Sequence, residues 1–292
     1  PSGYEWRNDP VASGGITLMP CGDGTPCNGA FPYMRLCFEG FGVNIAVGWS
    51  GTWRLEARAG RDGVTLATGQ AAFRSYLKPG ETVRTPRLTL QGFAGGEDRG
   101  RNLWRSFYIS HLLPREDGAP LSPKLVLHTW MIDGLPEFCG VTAENQIKAI
   151  DTYLAGGLKP DIWWIDAGWY PCGNHWPATG NWHPHPEHFP DGLAPVGEKC
   201  DREGIRLLVW FEPERVFRGT ALWREHPEFL LHCKAGDNPG LADNALLNLG
   251  NPAACDWIID TADRIIKESR IRVYRQDFNF APAPYWTQNT EK

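Results

Sequence analysis

Three strand-like runs in this chain end on acidic side chains, and a site for chemistry could be built on them. Val273–Phe280 reads Val-Tyr-Arg-Gln-Asp-Phe-Asn-Phe. Side chains alternate faces along a strand, so Arg275, Asp277 and Asn279 share one side. A cation, a carboxylate and an amide on one face suit a strand end that opens onto a polar site better than a core. Two other runs end alike. Trp163-Trp164-Ile165-Asp166 is followed by Ala167-Gly168-Trp169-Tyr170, and Val209-Trp210-Phe211 by Glu212-Pro213-Glu214. Carboxylates with Trp and Arg, and no phosphate loop or metal cluster beside them, form the chemistry of sugar handling. A glycosidase needs two carboxylates flanking the scissile bond, ~5 Å apart for retention of configuration and ~6.5–9.5 Å for inversion.

Each group also has a plainer role open to it. Asp166 could cap the loop after its strand. Glu212 and Glu214, on either side of Pro213, could brace the rim through salt bridges as readily as act on a ligand. Asp277 could form an ion pair with Arg275. His183, His185 and His188 lie in Trp-His-Pro-His-Pro-Glu-His. The two prolines prevent a helical i,i+4 ligand pair, so a solvated loop is the expectation rather than a metal site. No serine or cysteine stands in a nucleophile motif. The eight cysteines form no C-x-x-C and no disulfide framework, and are read as mostly reduced and structural.

Composition narrows the class. The formal net charge is −5, which offers no basic face to nucleic acid. No apolar run approaches the ~20 residues of a membrane span. The 14 Trp against 8 Tyr fill cores and also offer flat faces with one N–H donor, a good match to a sugar ring.

The elements that must position these groups come in two styles. Residues 1–30 are Gly-, Pro- and Ser-rich and read as loop. From Phe31 to about Phe93 the pattern is β, clearest in Thr52–Ala59, where Trp53, Leu55 and Ala57 alternate with Arg54, Glu56 and Arg58. Val83–Leu90 continues it, with Pro86 confining that strand to an edge or a bulge. Asp98–Leu113 has helical spacing and stops at Pro114. After Lys124, strands alternate with helices: strands at Leu125–Trp130, Asp161–Asp166, Ile205–Phe211 and Arg272–Asp277, with a helix capped by Thr142, one closed by Gly204 and one over Ala253–Ser269. Near-continuous apolar strands imply a parallel sheet. Long loops after the strands, and the absence of Gly-x-Gly-x-x-Gly, favour a (β/α)₈ barrel over a doubly wound nucleotide-binding sheet. The expected fold is multidomain, β followed by α/β: the end of a β-sandwich in 1–95, a connecting helix and linker in 96–123, and the first four β/α units of a barrel in 124–292. Both termini read as cuts in a longer protein.

Several ordered motifs resemble the α-galactosidases of glycoside hydrolase family 36, the melibiases. They are Ile165-Asp166-Ala167-Gly168-Trp169-Tyr170, Phe189-Pro190-Asp191-Gly192-Leu193, Trp210-Phe211-Glu212-Pro213-Glu214 and Tyr274-Arg275-Gln276-Asp277-Phe278-Asn279. Val47-Gly48-Trp49-Ser50-Gly51-Thr52-Trp53 and Leu77-Lys78-Pro79-Gly80-Glu81 extend the resemblance into the β block, and Arg101-Asn102-Leu103-Trp104-Arg105 matches the family's connecting helix.

The resemblance implies a β-sandwich followed by a (β/α)₈ barrel and a retaining double displacement needing no cofactor or metal. Asp277 matches the family's nucleophile. Asp166, Trp169, Trp210, Arg275 and Asn279 match positions around its sugar. The acid/base Asp of the family lies on a later strand, beyond Lys292. Two departures bear on the sugar: Ala167 replaces a second Asp, and Arg275 replaces a Lys, a larger and forked donor. The implied activity is release of terminal α-linked galactose from oligosaccharides or glycoconjugates, with this segment alone inactive. An α-N-acetylgalactosaminidase or a galactosyl transferase of the same fold is the near alternative, and a non-catalytic carbohydrate-binding protein the distant one. An α-galactoside oligosaccharide is the expected partner, with no nucleic acid and no membrane. A homo-oligomer of the full-length form is left open.

Overall fold

The computed structural model describes residues 9–11, 14–129, 138–173, 178–234 and 239–289. The chain divides into two compact units, Pro1–Leu121 with Ala281–Ala283, and Ser122–Phe280 with Pro284–Lys292.

The first unit is antiparallel. It contains β1 (Ile16–Leu18), β2 (Tyr33–Phe38), β3 (Phe41–Gly48), β4 (Trp53–Gly60), β5 (Gly63–Gln70) and β6 (Arg87–Ala94). These form two three-stranded sheets in the orders β1-β4-β5 and β2-β3-β6. Alternation works as expected: Ile45 and Val47 from β3, and Trp53, Leu55 and Ala57 from β4, are buried together, while Arg54 and Arg58 face outward. Two expectations change in detail. β1 lies inside a stretch read as loop, because three residues carry too short a period to show. β6 is an edge strand, as Pro86 requires, but begins at Arg87, after the proline rather than through it.

Helix α1 (Glu97–Phe107) follows. Its Gly100 packs on the Phe93 ring, where an added Cβ would come within 2.6 Å of the ring carbons. The expected run to Leu113 continues as one π-helical turn, Tyr108–Leu112, with the Leu113 N–H bonded to the Tyr108 carbonyl before Pro114 ends it. A two-strand ribbon, β7 (Arg115–Glu116) and β8 (Ala119–Pro120), closes the unit.

The second unit is built on a parallel sheet. β9 (Val126–His128), β10 (Ile162–Ile165), β11 (Arg206–Phe211) and β15 (Val273–Gln276) lie side by side in sequence order. Trp130, included in the expected first strand, lies outside the described residues. The crossovers are α2 (Ala143–Ala155), α3 (Ala194–Glu203) and α5 (Pro252–Glu268). Their ends follow the sequence. Thr142 and Asn145 form a reciprocal capping box, Asn251 caps α5 ahead of Pro252, and Gly204 closes α3 at φ +67°. This is an arc of four consecutive strands of a β/α barrel.

One feature went unread in the sequence. Between β11 and α5 lies a small antiparallel sheet, β12 (Arg215–Phe217), β13 (Leu230–Leu231) and β14 (Asn244–Leu247), in the order β12-β14-β13, with α4 (Ala221–Glu225) within it. Its strands are two to four residues long, below the length at which alternation shows. A last short helix, α6, spans Ala283–Thr287.

The sheet sorts its side chains by parity. Trp163 and Ile165 of β10, and Leu207 and Val209 of β11, are buried in the large core beneath the helices. The Trp163 indole N–H donates to Gln146 Oε1 of α2 at 2.9 Å. Trp164, Trp210 and Arg275 lie on the opposite face of the sheet, with Trp210 buried there as well.

Candidate active site

Strand register brings the expected residues together. Trp210 on β11 is paired with Arg275 on β15, and Ile165 on β10 with Val209, so Asp166, one residue on, comes level with Trp210. Neighbouring residues at one level of a parallel sheet share a face. Residues over a hundred positions apart in sequence thus meet at one rim.

Asp277 sits just past the end of β15, and its N–H still bonds the Phe211 carbonyl at 2.8 Å. Its carboxylate is held from three sides. Oδ2 accepts the Trp210 indole N–H at 2.9 Å, Oδ1 accepts the Phe278 N–H at 2.9 Å, and Arg275 Nη2 lies 3.5 Å from Oδ2. Burial pushes this carboxyl up. The donors Trp210, Asn279 and Phe278, with the charge of Arg275, outweigh burial and hold it below its ordinary value of 3.8. It therefore stays ionised.

Arg275 also reaches the second carboxylate, its Nη1 lying 3.6 Å from Asp166 Oδ2. Its Cζ stands 4.5 Å from the centroid of the Trp164 ring, a cation–π contact. Asp166 is the more enclosed acid, its side chain 10% exposed against 29% for Asp277. Burial raises its carboxyl above the ordinary value. The Ala167 N–H, 2.7 Å from Oδ1, and Arg275 oppose this, and the charge of Asp277 adds to it. Two carboxylates on opposite sides of the ordinary value, sharing one guanidinium, are unlike a plain ion pair.

Asn279 does not continue the strand, which ends at Gln276. It turns back and donates its backbone N–H to Glu212 Oε1 at 2.7 Å and its amide to Glu212 Oε2 at 3.4 Å. The nearby amide also lowers the Asp277 carboxyl. Glu212 is fully buried and paired with Arg215. Burial raises its carboxyl, against the pull of Arg215 and Asn279. All of its contacts are internal, which gives it the bracing role. Glu214 accepts from Gln276 at 3.3 Å; burial raises it as well.

The two tryptophans expected near a sugar are both in the wall. Trp210 is 1% exposed and Trp169 is 0% exposed. The Trp169 N–H donates to the Trp210 carbonyl at 2.9 Å, and Tyr170 stacks on Trp210 at 6.2 Å between centroids. The N–H of Trp210 is committed to Asp277.

Neither Trp164 nor His128 is among the site residues expected from the sequence. Trp164 carries the guanidinium, and the His128 ring meets it edge-on at 5.0 Å. Parity could have flagged Trp164, two residues before Asp166 on the same face. His128 had no such signal. His185 and His188 stack on each other at 4.0 Å. Among the described residues no group of three or more His, Cys, Asp or Glu is placed to hold a metal, and no helix is long and apolar enough to cross a membrane.

Comparisons with known proteins converge on one family. Residues 143–285 match the Melibiase family model. α-Galactosidase C of Emericella nidulans is 27% identical over 273 residues, covering 84% of this chain and 34% of the relative. An α-galactosidase of Escherichia coli is 26% identical over 246 residues, covering 80% and 33%. The fold matches the solved α-galactosidase of Lactobacillus brevis with a TM-score of 0.80 at 20% identity, over 93% of this chain and 37% of the other. The family 36 enzyme AgaA of Geobacillus stearothermophilus matches with a TM-score of 0.78 at 19% identity, over 92% and 38%. The chain spans about a third of the length of the curated relatives it matches. Residues 143–285 thus match the melibiase family model, and the chain resembles α-galactosidases in sequence and the family 36 α-galactosidases in fold.

Proposed function

We propose that the protein containing this chain is a retaining α-galactosidase, with Asp277 as its nucleophile. The observation that carries this reading is the Asp277 carboxylate itself. It is part-exposed at a strand end and held ionised by Trp210 and Arg275. Oδ2 would attack the anomeric carbon, forming a glycosyl–enzyme ester that water then hydrolyses. Asp166, Arg275 and Asn279 would hold sugar hydroxyls, and Trp210 would orient the nucleophile from the wall. Trp169 supports Trp210 from behind. The proton for the leaving oxygen would come from a carboxylic acid outside the residues assigned here, on a later barrel strand.

Oligosaccharides ending in α-linked galactose are the proposed substrates. A variant of AgaA was solved with raffinose and another with stachyose. Ala167 bears on the exact sugar. It is fully buried and its methyl group offers no acceptor to a sugar hydroxyl. Rates on nitrophenyl α-galactoside and on its N-acetyl analogue separate galactose from N-acetylgalactosamine.

The test of mechanism is covalent trapping. A 2-deoxy-2-fluoro-galactosyl fluoride should accumulate as an ester on the whole protein. Peptide sequencing should place it on Asp277. A label on any other residue overturns the assignment. Galactoside binding with no turnover and no label would favour a binding protein instead.

A further inference from the structure

Cys139 and Cys172 are 33 residues apart in sequence, yet their Sγ atoms lie 2.7 Å from each other. Non-bonded heavy atoms rest at about 3.5 Å or more, and a disulfide bond is ~2.05 Å long. The two thiols are therefore closer than any ordinary contact and a small movement from a bond.

The backbone explains the approach. Cys139 lies in the turn Phe138–Gly140, directly ahead of α2, and Cys172 in the loop after β10. Gly168, on that same loop, has φ +97°, and a Cβ added there would stand 2.2 Å from the Phe138 carbonyl carbon and 2.7 Å from the Cys139 nitrogen. Only glycine lets the two chains come so near. Phe138 itself adopts φ +49°, an unusual region for a bulky residue, which turns Cys139 back toward the loop. Cys172 is buried and Cys139 half-buried.

We propose that Cys139 and Cys172 form a reversible disulfide that ties the Asp166–Cys172 loop to the cap of α2. The oxidant is a small-molecule disulfide such as oxidised glutathione. One cysteine thiolate attacks it and releases a glutathione thiol, leaving a mixed disulfide. The second cysteine thiolate attacks that sulfur, forms the Cys139–Cys172 bond and releases the second thiol. The two electrons leave on glutathione, and the two cysteine protons pass through solvent to the two glutathione thiolates, giving two thiols. Burial, with the neighbouring Cys139, pushes the Cys172 thiol up, so formation is slow at neutral pH and faster in mild alkali.

The bond would restrain the loop that carries Asp166 and Trp169. The Cys139 turn is itself fixed, with the Val141 N–H on the Phe138 carbonyl at 3.0 Å and the Asn145 amide on the Gly140 carbonyl at 3.0 Å. The link would thus join the loop to an anchored cap rather than to another loose segment.

Peptide mapping tests this without a variant. The native protein is incubated with oxidised glutathione at pH 8, its remaining thiols are alkylated in denaturant, and it is digested with trypsin without reduction. The fragments 125–148 and 149–199 each hold one cysteine, Cys139 and Cys172. They should emerge joined, about 2 Da lighter than the two thiol peptides together, and separate on reduction. Closing a loop of this length should also raise Tm by about 5–10 °C. Cys139→Ser should abolish both the joined pair and the rise. Recovery of the two fragments separately alkylated from folded, oxidant-treated protein overturns the proposal. So does Cys172 joined to a different cysteine, or a Tm rise that survives in Cys139→Ser.

Discussion

The Glu212–Arg215 pair and the Asp166–Arg275–Asp277 cluster use the same two chemical groups on adjacent strand ends, but only one faces outward. Glu212 is 0% and Arg215 7% exposed, whereas Arg275 is 35% and Asp277 29% exposed. The buried carboxylate spends its acceptor capacity inside the protein, on Arg215 and Asn279. The open cluster keeps polar edges toward solvent. A carboxylate–guanidinium motif therefore means brace or site according to its surroundings. Asn279 joins the two, donating to Glu212 and lowering the Asp277 carboxyl. The brace fixes one donor of the site.

Several experiments would break or sharpen this contrast. The largest effect should come from Asp277→Asn in the whole protein, which should lower kcat on nitrophenyl α-galactoside by about 10⁴-fold or more with an unchanged far-UV spectrum. Near wild-type turnover would remove Asp277 as nucleophile. Glu212→Ala should act on stability instead. It removes the carboxylate paired with the buried Arg215 and should cost about 3–5 kcal/mol in urea unfolding. An unchanged midpoint would show that the pair braces nothing. Arg275→Lys keeps a charge but loses the fork and much of the stacking on Trp164. It should weaken galactose binding by about tenfold by calorimetry and leave the urea midpoint nearly unmoved.

The smallest and most diagnostic effect is in pH dependence, where the two carboxylates should oppose each other. Asp277 lies below its ordinary value when folded, so it adds stability above the unfolded value that is lost as pH falls through the native one. Glu212 lies above its ordinary value of 4.5, so it adds stability at low pH that is lost as pH rises through the raised native value. Urea midpoints across the acid range should show Asp277→Asn losing less stability than wild type on acidification. Glu212→Gln should lose less as pH rises above about 4.5. Parallel curves for the two variants would erase the distinction.

Much of this was legible from residues. Thr142, Gly204 and the Trp53–Ala59 alternation announced their elements because caps and two-residue periods are local physics. Asp277 and Asp166 were legible because each follows an apolar strand. Trp164 was available by parity, though not used. The sheet of β12, β13 and β14 was not legible, since strands of two to four residues have no period to detect. The burial of Trp210 and Trp169 was also out of reach, because exposure depends on what packs against a side chain.

The sequence by itself determined where strands and helices start and stop, which side chains share a face, and that acidic residues close three successive apolar strands. These follow from backbone preferences and hydrophobic period. Tertiary structure decided which acid is which. Parallel register set Asp166, Trp210 and Arg275 at one level, burial made Glu212 a brace, and the indole N–H of Trp210 kept Asp277 ionised. A pKa and an ion pair depend on distance and solvent, which only the folded chain supplies.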